Sequence, residues 1–575
     1  MLEIRSQTEV GPQPLWVESV DPRRALLWIR CLTWVVTILA GFVQAWSLRF
    51  SLSPDANAYL SIASAYLRGD YANAINAYFS PMYSWLIAAV LGIFHPSGYW
   101  ETTSLHLLNF AGLLIALYCF EFFFVGFLVF LEHSSQSQDE PPLNEASWWL
   151  LGYGLFFSTM LFLLTLEPTT PDMWVCVVSY LAVGILLRIA LHPRKWIYFV
   201  ALGFVLGLAY LTKSFFFPLS FVFLGAAWFT GGTLRKNFTR VLVALVVFVL
   251  VAGPFVYAIS KSKHRFTFGD AGKITYAIVM NPIPAAAFLH WDSNSGIPKH
   301  PPRQIFSSPR VFESAAPIKG TFPLTDLSYW MEGATPHFTL RGQMRILRQS
   351  VGTFFVMFLT QVEFAAGFFV LLICQERSRE CIAAIARLWP LWLPPAVACL
   401  AYSIVLVENR YVAPFLVFLW IAAFAGAVRV PSVLSRRVAT AVLLGILCVT
   451  GIKTAKYFTT DLFALQHQRN VYWDVAQNLS KIGVKPGDKF ALIGSTEGVH
   501  WARLAGVQIV SVLPLGDDEV FWNADRATQE RVFAAFASTG SRLVVVKDPP
   551  PGSARENWRQ LGNTPYYTHL LPGNP

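Results

Sequence analysis

The sequence predicts a polytopic α-helical membrane protein, a bundle of about eleven transmembrane helices followed by a small α/β domain. Three observations carry this. The 575 residues are 55% hydrophobic and only 14% charged, against about 25% charged in an average soluble domain. The apolar residues fall in repeated runs long enough to span a bilayer. The net charge of +10 comes from Lys and Arg at the ends of those runs rather than in one stripe, which fits membrane orientation and not nucleic-acid binding.

Residues 1–26 carry Arg5, Arg23 and Arg24 and lead into the apolar run Leu27 to Trp46. Its length and its lack of a small-residue cleavage site give a retained first span rather than a cleaved signal peptide. The expected spans are 27–47, 105–131, 147–166, 172–190, 196–212, 214–232, 238–259, 351–373, 388–407, 411–428 and 438–455. Ser80 to Phe94 is different: a helix there is about 22 Å long, short of the roughly 30 Å hydrocarbon layer.

Parity decides how that segment is read. If it stays at the interface and the N-terminus is cytoplasmic, the basic loops Arg188/Arg194/Lys195, Arg235/Lys236/Arg240, Arg377/Arg379/Arg387 and Arg429/Arg436/Arg437 all fall inside. A full crossing sends all four outward, against the positive-inside preference. Loop 132–146, with Glu132, Asp139, Glu140 and Glu145, then lies inside despite its acidity, a small strain because acidic residues count little in topology. The same parity puts outside the first loop 48–104 with Asp55, the "LEPTTPD" turn, the long loop 260–350, the "ENRY" corner and the tail. The expected domains are 1–455, membrane-embedded, and 456–575, extracytoplasmic.

The loop 260–350 mixes charge, Pro and aromatics, and at that length it is expected to fold as a cap or to hold interfacial helices. Its Trp291, Tyr329 and Trp330 read either as interfacial anchors or as substrate-facing groups. In the tail, 488–495, 507–514 and 542–548 alternate as strands, and 470–482 and 526–538 read as helices. "LIGSTEG" lacks the spacing of either phosphate-binding glycine loop. The seven cysteines show no CxxC spacing, which argues against a zinc or thiol-redox site.

Candidate chemistry gathers on the outer side. Asp55 follows Pro54 at a helix start, so it reads either as a cap or as a reactive carboxylate. Tyr59, at i+4, shares its face. Asp172 in "TTPDMW" carries the same two readings. Two outward carboxylates suit proton acceptance from an attacking hydroxyl, acceptor orientation, or a divalent cation. Lys213 in "LAYLTKSF", Arg341 in "HFTLRGQMR", and Arg410 with Tyr411 in "ENRYVAPF" suit neutralisation of a departing phosphate, with snorkelling at span ends as the alternative. His337, just outside a span, is a further candidate for phosphate binding or proton transfer.

The ordered set "PDANAYLSIASAYLRGDY", "SPMYSWLIAAVLGIF", "TTPDMW", "GLAYLTKSFFFPL" and "ENRYVAPFLVFLW" resembles the C-type (GT-C) membrane glycosyltransferases that use polyprenyl-phosphate sugars. The likeness is to bacterial relatives of protein O-mannosyltransferases and of the lipid A aminoarabinose transferase, and it covers about residues 30–230 with an echo near 408–420. It implies inverting transfer of a sugar from a polyprenyl-phosphate carrier to a glycan, lipid or protein acceptor outside a bacterial cytoplasmic (inner) membrane. It makes Asp55 the catalytic or metal-associated carboxylate, Asp172 the acid of the second outer loop, and Lys213 and Arg410 phosphate contacts. The 80–94 helix becomes one of the interfacial helices lining the cavity. Asp55 is followed by Ala rather than a second acid, a departure that bears on any metal. A polymerase or ligase of lipid-linked glycans and a lipid or glycan transporter remain alternatives. The absence of an evident internal repeat and the one-sided polar residues count against transport.

Overall fold

A computed structural model describes residues 21–134, 143–230, 234–281, 283, 295–314, 327–374, 378–428, 433–550 and 557–571. Arg5, Asp139, Glu140, Trp291, Arg377 and Arg429 lie outside the described residues. The chain opens with α1 (Pro22–Ser47), started by Pro22 at its first position and by Asp21, whose side chain accepts from the Arg23 N–H. Three short helices fill the stretch between α1 and the next long helix: α2 (Pro54–Leu67), α3 (Tyr71–Ala74) and α4 (Pro81–Phe94). As the sequence predicts, α4 is short, at 14 residues.

The bundle continues with α5 (Glu101–His133) and α6 (Glu145–Phe157), the latter prolonged by a π-helical stretch, Ser158–Leu164. Then come α7 (Asp172–Leu191), α8 (Trp196–Thr212), α9 (Phe216–Phe229) and α10 (Leu234–Ser262). The long loop holds α11 (Ala271–Met280), a hairpin of β1 (Arg303–Ser307) and β2 (Arg310–Glu313), and α12 (Leu327–Trp330). The second half of the bundle is α13 (Leu340–Thr360), α14 (Val362–Ile373), α15 (Ser378–Arg387), α16 (Trp389–Val405), α17 (Asn409–Ala427) and α18 (Val433–Ala464).

Among the described residues seven helices are long and apolar enough to cross a membrane, or up to nine if each of two bent pairs is one span. The pairs are α13 with α14, bent by 85°, and Glu380–Arg387 with α16, bent by 84°. The expected count of eleven differs by α8 and α9. They have 17 and 14 residues, about 26 and 21 Å at the helical rise, and so fall short of the roughly 30 Å layer taken singly.

Aromatic side chains make the centre of the bundle. Phe120, Phe123, Phe124 and Phe127 of α5 are fully buried; Phe123 meets Phe418 of α17 at 4.9 Å and Phe120 meets Tyr180 of α7 at 5.4 Å. Elsewhere backbones approach closely. A Cβ at Gly203 in α8 would lie 2.1 Å from the Ala244 carbonyl oxygen of α10, and one at Gly207 would lie 2.5 Å from Val251. This is the small-xxx-small spacing that lets membrane helices pack without intervening side chains.

The tail comprises α19 (Val471–Lys481), β3 (Lys489–Gly494), α20 (His500–Ala505), β4 (Gln508–Pro514), α21 (Asp518–Trp522), α22 (Arg526–Ser538), β5 (Leu543–Lys547), β6 (Arg559–Gln560) and β7 (Tyr566–Leu570). The three expected strands and both expected helices are present. Alternation in "KFALIG" explains the layering: Phe490 and Leu492 face one core with Val475, Leu479 and Trp501, while Ala491 and Ile493 face the other with Val532 and Phe536. The sheet order is β1-β2-β4-β3-β5-β7-β6. The hairpin of the long loop is thus part of the tail's sheet, with Phe312 of β2 paired antiparallel to Val512 of β4. Trp330, Met331 and Ile274 from the same loop join the tail's core.

Candidate active site

Two loops are brought together before any charge enters the site. The ring nitrogens of the buried His106, on α5, lie 2.9 and 3.0 Å from the carbonyl oxygens of Ser51 and Leu166. Asn109, one helical turn on, donates to the Pro168 carbonyl at 3.0 Å and accepts from the Tyr83 hydroxyl at 3.1 Å. Ser53 and Thr169 hydroxyls meet at 3.3 Å. The start of α2 and the 165–171 turn are therefore tied to one another and to α4.

On that frame, Pro54 and Asp55 begin α2, and Ser53 is its N-cap. Asp55 accepts from Arg410 Nη2 at 3.2 Å. Asp172, the first residue of α7 and almost fully buried, accepts from Lys213 Nζ at 2.6 Å and from the Thr170 hydroxyl at 2.8 Å. Arg410 Nη1 lies 3.8 Å from Asp172, and its Nε donates to Glu408 at 2.7 Å. One guanidinium thus faces three carboxylates from three separate segments. The Lys213 ammonium sits 3.8 Å from the centroid of the Tyr411 ring, which stacks on Tyr402 and adds a cation–π contact.

The Asp55 side chain keeps 31% exposure. Burial pushes its carboxyl above the ordinary range, and the Arg410 guanidinium opposes that shift. Tyr59 lies behind it on the same helix, its ring against Phe79 at 4.9 Å and Tyr83 at 5.1 Å.

The structure joins Asp55, Asp172, Lys213, Arg410 and Tyr411, with Tyr59 as backing. It does not bring in His337 or Arg341. His337 is exposed and its backbone N–H bonds Asn281; Arg341 is exposed in the first turn of α13. Glu408, Tyr402 and Thr170 belong to the cluster although the residue-type argument singled out none of them. Among the described residues no three His, Cys, Asp or Glu side chains converge as a metal site. Asp55 and Asp172 each face a cationic side chain instead, so this donor set does not fit a divalent cation.

These features define a class: an apolar helical bundle with short helices in its first long loop, a charged cluster at one end, and a folded C-terminal domain. A solved membrane protein shares this fold. Among solved structures, ArnT from Cupriavidus metallidurans bound to undecaprenyl phosphate is similar over 96% of this chain and 100% of its own, with a TM-score of 0.50 and 12% identity. The apo form of the same protein gives 0.49 and 13% over 95% and 100% of the two chains. The Archaeoglobus fulgidus oligosaccharyltransferase, in complex with Zn and sulfate, gives 0.46 and 13% over 90% of this chain and 68% of its own. No protein-family model matches the sequence, and no curated protein does.

Proposed function

We propose that this protein is an inverting glycosyltransferase that moves a sugar from a polyprenyl-phosphate carrier to an acceptor on the outer face of a bacterial cytoplasmic membrane. The observation that carries the reading is the Arg410-centred cluster, in which Asp55 sits 3.2 Å from a guanidinium that also reaches Asp172 and Glu408. The fold shared with ArnT, solved with undecaprenyl phosphate bound, supports a lipid-phosphate donor.

In the proposed reaction the Asp55 carboxylate takes the proton of an acceptor hydroxyl, whose oxygen attacks the anomeric carbon. The bond from that carbon to the phosphate oxygen breaks, and its electron pair stays on the phosphate. Lys213 and Arg410 stabilise the charge that develops there. Asp172 holds Lys213 in position through their 2.6 Å contact. The donor phosphate competes with Asp55 for Arg410, so donor binding releases the base at the point where it is needed. The raised carboxyl of Asp55 suits a proton acceptor.

Eleven crossings follow if α8 and α9 span alongside the seven long helices and the two bent pairs. Supporting this, only four residues separate the end of α7 from the start of α8, and the other end of α8 brings Lys213 to Asp172, the first residue of α7. Seventeen residues then cover the same layer as twenty. The N-terminus is cytoplasmic in this arrangement, and the cluster and tail are extracytoplasmic.

The test offers purified protein a labelled polyprenyl-phosphate sugar with membrane extract as acceptor. Asp55→Asn is expected to lose transfer by at least about 10²-fold, the scale of a general base. Undiminished transfer by D55N sinks the assignment.

A further inference from the structure

Helix α2 has a second polar face. Asp55 faces the cluster, with Tyr59 four residues on packed behind it; Asn57 is about 200° round the helix from Asp55, and Ser64 lies seven residues beyond Asn57 on the same side. That side meets α20 of the tail domain. His500 Nδ1 lies 2.9 Å from Asn57 Oδ1, so the ring donates there through Nδ1–H. Arg503, three residues on, donates to the Ser64 hydroxyl at 2.7 Å and to Glu101 at 2.8 Å, 3.1 Å and 3.2 Å. Glu101 is the first residue of α5, and its Oε2 lies 3.6 Å from His500 Nε2. A second tether runs from α19: Asn470 donates to the Tyr99 carbonyl at 3.0 Å.

We propose that the tail domain is part of the transfer site's scaffold: α20, through His500 and Arg503, clamps the outer face of α2 and so fixes Asp55 against Arg410. This rests on the reading of Asp55 as the base. Tyr59, Leu60 and Ile62 pack one side of the helix into the bundle, and the contacts with α20 hold the opposite, polar side of α2. Its N-cap Ser53 makes no capping bond. His500 is 1% exposed, and burial pushes its pKa down to about 4, so the ring at this contact carries no charge at neutral pH. His500 and Arg503 touch none of the reacting groups, so they are positioning residues.

The test compares wild type with H500A, R503A and N57A by hydrogen–deuterium exchange and by steady-state transfer. Each variant is expected to exchange faster over residues 54–67, with the tail strands β3 and β5 unchanged. Each is expected to lose about tenfold in kcat, the cost of a sub-ångström misplacement, with the donor KM held because Lys213 and Arg410 are intact. The H500A/N57A pair is expected to be no worse than either alone, and H500N, which keeps a donor, to recover part of the loss. Should H500A disturb the tail's own fold, N57A decides, since it alters only the membrane-domain side of the contact. Unchanged exchange in α2 overturns the clamp whatever the activity. A loosened α2 with unchanged kcat overturns its role in positioning Asp55. A loosened α2 in a protein whose wild type transfers no sugar overturns the glycosyl-transfer reading and leaves the clamp supported.

Discussion

Arg410 concentrates more of the site's chemistry than any other side chain, because its planar fork reaches Asp55, Asp172 and Glu408 at once. A lysine cannot do this: its ammonium is a single point charge with no fixed fork. Arg410→Lys is therefore expected to lower kcat/KM by roughly 10²-fold despite keeping the charge. It should also move the acid limb of the pH–rate profile upward. The guanidinium lowers the Asp55 carboxyl against the opposing effect of burial, so weakening it raises the pH at which the base is lost as acid is added. A profile identical to wild type would separate Arg410 from Asp55. Asp55, Asp172, Lys213 and Arg410 were legible in the sequence because each is a charge at the end of an apolar run. Glu408 stands two residues from Arg410, and its pairing with the Arg410 Nε depends on the corner's geometry, which the residue pattern does not encode. His500 and Asn57 are 443 residues apart, and no local pattern links them. His337 and Arg341 carry suitable chemistry but stand apart from the Arg410 cluster.

Helices are where hydropathy succeeds and then stops. Each expected apolar run is helical, yet the bend between α13 and α14 falls inside the run read as one span, 351–373. The structure shows what the break needs: Lys453 donates to the Thr360 carbonyl at 2.6 Å and pairs with buried Glu363, and Gln361 bonds Ser158 and Trp420. Polar groups in an apolar run marked the place, but a bend is a tertiary property that composition does not encode. Close packing is similarly hidden. Gly203 reads as an unremarked small residue in "ALGFVLGLAY", whereas its missing Cβ is what admits the Ala244 backbone of α10. Gly203→Val is expected to destabilise the bundle by about 1–3 kcal/mol, since backbone must shift to make room. Thermal unfolding in detergent measures this, and Gly225→Val on α9, where a Cβ would meet nothing within 4 Å, serves as the control. Equal stability of the two variants would refute the close crossing.

Across the whole molecule, the tail domain, the long loop and the bundle end that carries the charged cluster are a single construction rather than a bundle with an appendage. The long loop supplies β1 and β2 to the tail's sheet and Trp330 to its core, and the tail returns through α20 to the helix bearing Asp55. The sequence made the tail's strands visible by their alternation, but strand pairing across 200 residues lies beyond local pattern. This closure makes docking of the tail sensitive to pH in one direction. His500 is faced by Asn57 and Glu101 of the membrane domain and by Arg503 and the Tyr472 ring of its own. Its pKa when docked is about 4, against an ordinary 6.5. Between those values the undocked form binds the proton that the docked form refuses, so docking is at full strength above about pH 6.5 and weakens as pH falls toward 4. The loss amounts to about 3 kcal/mol at the acid end, enough to open the contact in a measurable fraction of molecules. Hydrogen–deuterium exchange over 54–67 and 499–505, corrected for the intrinsic pH effect, is expected to show protection at pH 7.5 that falls at pH 5. H500N has no titrating ring, and its protection should be the same at both pH values. Equal protection in the wild type at the two pH values would mean that His500 is not buried against α2, and that the tail is held to Asp55's helix by Arg503 alone.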